Sequence, residues 1–309
     1  MMFAIDPPSN ALSPVIALVS NGLSSLHSKR AYERAITEFL CWCRASGAAD
    51  FTKGTLQEYR SALETRALSA STINVRVCAI RKLATELADS GALPQDVAAA
   101  IGKVKGTKRK GVRIGNWLSA SQAEDLLLLP DAGSLKGKRD QALLGVLVGA
   151  GLRRSEAAAL TFTHIQERDG RWIIADLVGK HGRIRSVPVP GWVKVAINRW
   201  AEAAHLVEAR IFRPINKSGR ITGESLTPQS VYHIVKNYGE QGGLNIAPHD
   251  LRRSFARLAR KGHADLEQIQ FSLGHGSVTT TELYVGVRQN LNDAPCDHLG
   301  LHFGNSLET

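Results

Sequence analysis

The chain has 309 residues, 43% of them hydrophobic, with 39 Lys and Arg against 28 Asp and Glu, a formal net charge of +11. That length favours two domains and that composition supports buried cores, which excludes a disordered chain. The basic excess points to a polyanionic partner, nucleic acid being the commonest, although charge alone fits a generally basic globular protein equally well.

The cysteines, Cys41, Cys43, Cys78 and Cys296, form no C-x-x-C pair, so neither a zinc site nor a disulfide framework is expected and a reducing compartment fits. Val15 to Val19 is apolar but has no basic residue before it, unlike a signal peptide. The longest apolar run, Ala142 to Leu152, falls short of the ~20 residues that span a bilayer. A cytoplasmic protein without membrane association is expected.

In chain order, the first hundred residues read as helical. From Ser28 as a cap, Tyr32, Ile36, Phe39 and Cys43 recur at helical spacing. Thr55 and Glu58 have the spacing of a capping box ahead of Tyr59 and Leu63. After Ser71 comes the clearest stripe, Ile73, Val77, Ile80, Ala84 and Leu87, stopped by Gly91. Arg76, Arg81 and Lys82 lie off that stripe, facing either DNA phosphates or solvent.

The segment KVKGTKRKGVRIGN then changes the composition, with Lys103, Lys105, Lys108, Arg109, Lys110 and Arg113, and no acid. It is too polar for a core and marks the domain boundary. It is either a connection laid along a DNA backbone or a solubilising linker. The divisions expected are a helical domain over residues 1–107, a linker over 108–118, a second domain over 119–286 and a tail over 287–309.

Beyond the linker, Ser121 and Glu124 suggest a cap for a helix through Leu129, and a buried helix covers Asp140 to Val148. Two strands, Trp172 to Leu177 and Ile184 to Val189, flank the turn Gly179-Lys180-His181-Gly182. Helices follow Pro190 and the Thr227-Pro228 cap, and another runs from near Asp250 to Gly262. The fold class expected is mainly α with a small antiparallel β-sheet, a helical domain followed by an α+β domain.

Three stretches of the second domain concentrate reactive residue types. In Gly151-Leu152-Arg153-Arg154-Ser155-Glu156 the chain turns at a glycine into a helix. In Pro248-His249-Asp250-Leu251-Arg252, His249 and Arg252 are three apart, so one helical turn can bring both to the same site. In Leu273-Gly274-His275 through Tyr284, Thr279 and Glu282 suggest a cap that puts Tyr284 on the first turns of a short helix. Singly, each is as easily a capped helix start, a turn or a packed aromatic.

Together, in this order, they resemble the tyrosine recombinase (phage integrase) family. A G-L-R arginine, a hairpin lysine, an H-x-x-R pair, an L-G-H histidine and a tyrosine nine residues later correspond to Arg153, Lys180, His249, Arg252, His275 and Tyr284. Glu156 matches the acid that usually follows the first arginine. Arg253 stands where many relatives have histidine, and Ala157 where leucine is commoner. Neither departure touches a reacting group. The resemblance covers residues 119–286. The helical first domain is similar to the family's SAM-like core-binding domain by pattern alone.

The resemblance implies a site-specific DNA strand transferase that needs no metal and no other cofactor. Planar, permanently charged Arg153 and Arg252 would neutralise the non-bridging oxygens of the scissile phosphate. Tyr284 would attack to give a 3′-phosphotyrosine, with Lys180 protonating the leaving 5′-oxygen and His249 beside the nucleophile. His275 would bond a non-bridging oxygen or position Tyr284, and Glu156 would orient its neighbours. Lys105, Lys108, Arg109, Lys110 and Arg76 are the candidate DNA contacts. The implied partners are double-stranded recombination sites and further copies of the chain, a dimer per site and a tetramer in synapsis, on a bacterial nucleoid.

With its first helix expected by about residue 28, the chain leaves no room for an additional arm-binding domain and resembles the simple Xer-like branch. The tail at 287–309 would dock on a neighbouring protomer or fold back on its own domain. The rival readings are a metal hydrolase using His249, His263 and His275, a DNA-binding regulator of the same fold, and a type IB topoisomerase-like enzyme.

Overall fold

The computed structural model describes residues 12–23, 25–108, 116–179 and 182–285. Arg109, Lys110, Lys180 and the expected tail at 287–309 lie outside those residues. The chain divides into two compact units, residues 1–113 and 114–309.

The first unit comprises α1 (Leu12–Asn21), α2 (Leu26–Ser46), α3 (Lys53–Thr65), α4 (Ala70–Asp89) and α5 (Gln95–Gly102). The apolar stretch at Val15 is therefore helical, and the first helix precedes residue 28. Helices α2, α3 and α4 also start earlier than expected. Ser25 occupies the N-cap of α2, Thr52 caps α3 by accepting from the Thr55 amide, and Ser69 caps α4 through the Thr72 amide. At α3 and α4 more than one hydroxyl lies within a turn, and the first of them takes the cap. The next then falls in the first turn, where Thr55 instead donates to the Asp50 carbonyl at 2.6 Å.

The expected stripes do form the core, with Ile36, Leu56, Tyr59, Leu63 and Ile80 fully buried. The Phe39 ring meets the Tyr59 ring edge-on, centroids 5.1 Å apart. The chain stays with this unit beyond α5: Val104 is buried, and Thr107 exchanges backbone bonds with the Asn74 side chain at 2.8 and 3.1 Å.

The second unit contains α6 (Ala120–Leu128), α7 (Leu135–Gly149), α8 (Arg154–Ala159), β1 (Ile165–Arg168), β2 (Arg171–Val178), β3 (Ile184–Pro188), α9 (Gly191–Ala203), α10 (Pro228–Gln241), α11 (Pro248–Lys261), α12 (Leu266–Leu273) and α13 (Val278–Val285). It begins before residue 119. Leu118 is buried and its amide donates to Ser254 Oγ at 2.8 Å, so residues expected in the linker are already folded here. The capping box of α6 is Ser119 with Gln122, not Ser121 with Glu124.

The strands form an antiparallel sheet of order β1-β2-β3. β1 was not expected, although its signal is present: Asp169 and Gly170, both at positive φ, make the tight turn that reverses the chain into β2. The β2–β3 pairing is irregular between Ile174 and Leu177, where Asp176 has a φ of 54°. Helix α7 runs through the core as expected but extends farther back, capped by Ser134. Its sequence conceals an ion pair: Arg139 and the fully buried Asp140 meet at 2.7 Å, and the Tyr238 hydroxyl donates to Asp140 at 3.1 Å. Among the described residues no helix is long and apolar enough to cross a membrane.

Removing one partner of a buried ion pair leaves the other charge uncompensated. Asp140→Ala is therefore expected to cost the second unit about 3–5 kcal/mol, and Tyr238→Phe only about 1 kcal/mol. Denaturant titration of the full chain followed by tryptophan fluorescence reads both. Equal small losses would show that Arg139 finds other solvation.

Candidate active site

The site grows from the turn between α7 and α8. Gly151 has a φ of +60°, and a Cβ there would lie 2.7 Å from the Phe255 ring of α11, so only glycine fits both the conformation and the contact. The turn delivers Arg153 to the start of α8. Its amide donates to Glu156 Oε2 at 2.8 Å and its Nη1 to Oε1 at 2.7 Å.

Glu156 is 6% exposed, and its second partner was not foreseen. Arg185, on β3, binds the carboxylate with both terminal nitrogens at 2.9 Å and donates its Nε to the Ser272 carbonyl at 2.9 Å. Burial alone would raise the Glu156 carboxyl; the bonds from Arg185 and Arg153 outweigh it and hold the group at about 2. The signal for Arg185 lay in strand period: it shares a face with buried Val187. A charged residue in phase with core positions needs a buried partner.

Arg252, on α11, is 1% exposed. Its Nη1 donates to the Gly151 carbonyl at 2.6 Å and its Nη2 to the Leu273 carbonyl, so one side chain braces the turn before Arg153 to the end of α12. Burial and then Arg153 depress it to about 9, with Glu156 pulling the other way. A guanidinium stays charged at neutral pH even so.

At the end of α12, Gly274 adopts a left-handed conformation, φ +59°, and turns the chain to His275. The His275 Nδ1 pairs with the buried Thr281 hydroxyl at 2.9 Å. Ser277, rather than Thr279 with Glu282, caps α13 by accepting from the Thr279 amide. Tyr284 accordingly lies in the last turn of this eight-residue helix, not its first.

There the Tyr284 hydroxyl hydrogen-bonds to His249 Nε2. Its ring stands edge-on to both imidazoles, 5.3 Å from His249 and 4.7 Å from His275. The Arg253 guanidinium sits 5.4 Å from the Tyr284 ring, so a residue that the sequence reading set aside touches the tyrosine. Both histidines are held neutral. Burial lowers His249, helped by Arg253 and Arg252. Burial, Arg252 and Arg153 push His275 down to about 4.

Arg153, Arg154, Ser155, Tyr232, His249 and Arg252 line one cleft of about 370 Å³. The structure thus brings together Arg153, Glu156, His249, Arg252, His275 and Tyr284; Lys180 lies outside the described residues. Among the described residues no group of three or more His, Cys, Asp or Glu side chains could hold a metal.

In the first unit, Lys105 and Lys108 are exposed. Arg76 departs from the expectation of a free phosphate contact. It pairs with Glu38 at 2.8 Å, and Glu38 also takes Arg66 at 2.6 Å, so much of its charge is already matched. Arg76 nevertheless borders a groove of about 470 Å³ with Arg30, Arg34, Thr72 and Val75. The two α2 arginines, four apart on one helical face, were missed.

Residues 116–290 match the family model described as "Phage integrase family", and residues 16–91 match "Phage integrase, N-terminal SAM-like domain". The chain is 31% identical over 285 residues to the tyrosine recombinase XerD of Bifidobacterium longum (strain NCC 2705), covering 87% of this chain and 89% of that one. It is 32% identical over 237 residues to the tyrosine recombinase XerC of Roseiflexus sp. (strain RS-1), covering 75% and 74%. Its fold is similar to that of the XerH site-specific recombinase in a post-cleavage complex with palindromic difH substrate, with a TM-score of 0.66 and 21% identity over 91% of this chain and 82% of that one. A lambda integrase dimer bound to a COC′ core site gives a TM-score of 0.67 and 16% identity over 90% and 77%.

The electrostatics of the cleft can be read on His275. An NMR titration of its ring is expected to show a midpoint at about 4, and Arg153→Gln, which removes a neighbouring cation, should raise it. A wild-type midpoint near the ordinary ~6.5 would mean that the ring is neither buried nor surrounded by positive charge.

Proposed function

This chain belongs to the phage integrase family of tyrosine recombinases, and from that premise we propose that it cleaves and rejoins DNA strands at specific sites through Tyr284. The observation that carries the assignment is the Tyr284 hydroxyl bonded to His249, beside His275 and a cleft lined by Arg153 and Arg252.

In this reading the scissile phosphate enters the cleft, and the two guanidiniums bind its non-bridging oxygens where charge concentrates in the transition state. Neutral His249 accepts the phenolic proton as Tyr284 attacks phosphorus. The P–O bond to the 5′-oxygen breaks, that oxygen takes a proton from Lys180, and Tyr284 remains joined to the 3′-phosphate. Attack by a 5′-hydroxyl on the phosphotyrosine reverses the step and rejoins a strand. The phosphodiester energy is conserved in the adduct, so the cycle needs neither ATP nor another cofactor. His275, tied to Thr281, positions Tyr284 or a phosphate oxygen, and Glu156 orients Arg153.

The partner we propose is a double-stranded recombination site, bound in the cytoplasm by a dimer and synapsed as a tetramer. The first unit acts as the core-binding domain, the basic stretch after residue 107 as a connection, and the second unit, which already includes Leu118, as the catalytic domain. Exposed Lys105 and Lys108, together with Arg109 and Lys110, are suited to the phosphate backbone. The groove that Arg30 and Arg34 border with Arg76 is a further candidate for it.

Two experiments test the chemistry. A nicked duplex selected from random sequence by retention on the wild-type protein should form a covalent adduct that survives denaturation, whereas Tyr284→Phe should bind the duplex equally and form none. An adduct in the Phe variant would move the nucleophile elsewhere. For Lys180→Ala, replacing the bridging 5′-oxygen with sulfur, a leaving group that needs no proton, should restore cleavage. Equal defects on both substrates would remove Lys180 from the acid role.

A further inference from the structure

We propose that Arg185 is a positioning residue for strand cleavage: from β3 it locks the groups that carry Arg153 and His275 into one geometry. The inference rests on the recombinase reading above and adds to it a residue whose guanidinium is bonded to Glu156 and the Ser272 carbonyl.

Arg185 is 9% exposed and its fork is committed inward. Nη1 and Nη2 bind the two oxygens of Glu156 at 2.9 Å each, and Nε binds the Ser272 carbonyl at 2.9 Å. The same two oxygens hold Arg153, Oε1 its Nη1 and Oε2 its amide. The orientation of the Glu156 carboxylate, and through it that of Arg153, is therefore set by Arg185.

The second grip acts on the turn before His275. The Arg185 side chain lies against Gly274, where a Cβ would come within 2.8 Å of its Cδ. Ser272 and Gly274 flank Leu273, whose carbonyl is the acceptor for Arg252. Moving Arg185 would thus release Arg153, the acceptor of Arg252 and the turn carrying His275 together. A lysine could keep the charge but has no planar fork with which to hold a carboxylate and a carbonyl at once.

Displacement of catalytic groups by about 1 Å can cost ~10²-fold in rate without altering the contacts that give affinity. Arg185→Gln and Arg185→Lys are compared with wild type on the same selected, nicked duplex. The measurements are the melting transition, the duplex Kd and the single-turnover cleavage rate at saturating DNA. We expect both variants to remain folded at the assay temperature and to bind with unchanged affinity. Cleavage should fall about 10²-fold in Arg185→Gln and, because charge alone restores part of the geometry, about 10-fold in Arg185→Lys. If Arg185→Gln does not fold, the Lys variant decides.

A folded variant that cleaves at the wild-type rate, or whose whole defect is weaker binding relieved at saturation, overturns the inference alone. A wild-type protein that forms no adduct overturns the recombinase reading, and this inference with it.

Discussion

Several guanidiniums must be held close together before any substrate phosphate is present, and the site depends on how that repulsion is managed. Glu156 does it. Its buried carboxylate receives Arg153 and Arg185, and its charge opposes the depression that Arg153 and Arg185 impose on Arg252. Carbonyl oxygens do the rest: Gly151 and Leu273 accept from Arg252, and Ser272 from Arg185. A buried charge left without such partners would be strongly destabilising.

Those carbonyls come from chain ends and turns, so charge solvation and architecture are the same set of bonds. Arg252 links α11 to the α7–α8 turn and to the end of α12. Arg185 links β3 to α8 and to the same end of α12. The small cluster of Ala256, Ile269, Leu273 and Val285 packs α11, α12 and α13 together and carries Tyr284 to His249. The cations also set the state of the imidazoles. Pressed towards neutrality by burial and by the arginines, His249 and His275 keep a nitrogen free to accept a proton or hydrogen bond at neutral pH. That is the state the proposed attack of Tyr284 requires.

The first unit distributes its charge differently. Glu38 gathers Arg66 and Arg76 at its surface, and Arg76 in turn borders a groove with Arg30 and Arg34. Net charge therefore says little about which cation meets a phosphate. A neighbouring carboxylate decides, and it can be 38 residues away in sequence, as for Arg76 and Glu38.

The sequence by itself determined the division into a helical and an α+β part and the apolar stripes that became the two cores, and it named Arg153, Glu156, His249, Arg252, His275 and Tyr284 as candidates, which the structure brings together. These signals are local: helical period, glycine turns, and reactive residues at short, ordered spacings. It misplaced the helix starts because Ser and Thr residues spaced within a turn offer alternative caps, and it passed over β1 although Asp169-Gly170 marked it. Only the tertiary structure decided that Arg185 belongs to the site, that Arg253 lies against Tyr284, that Arg76 is paired and that both histidines are pressed towards neutrality. Each of these depends on a partner 29 or more residues distant, as Arg185 and Glu156 are, or on burial. Strand period hinted that Arg185 faces inward with Val187, but no local pattern names a distant partner, because a side chain's charge state and orientation are fixed by what folding brings beside it.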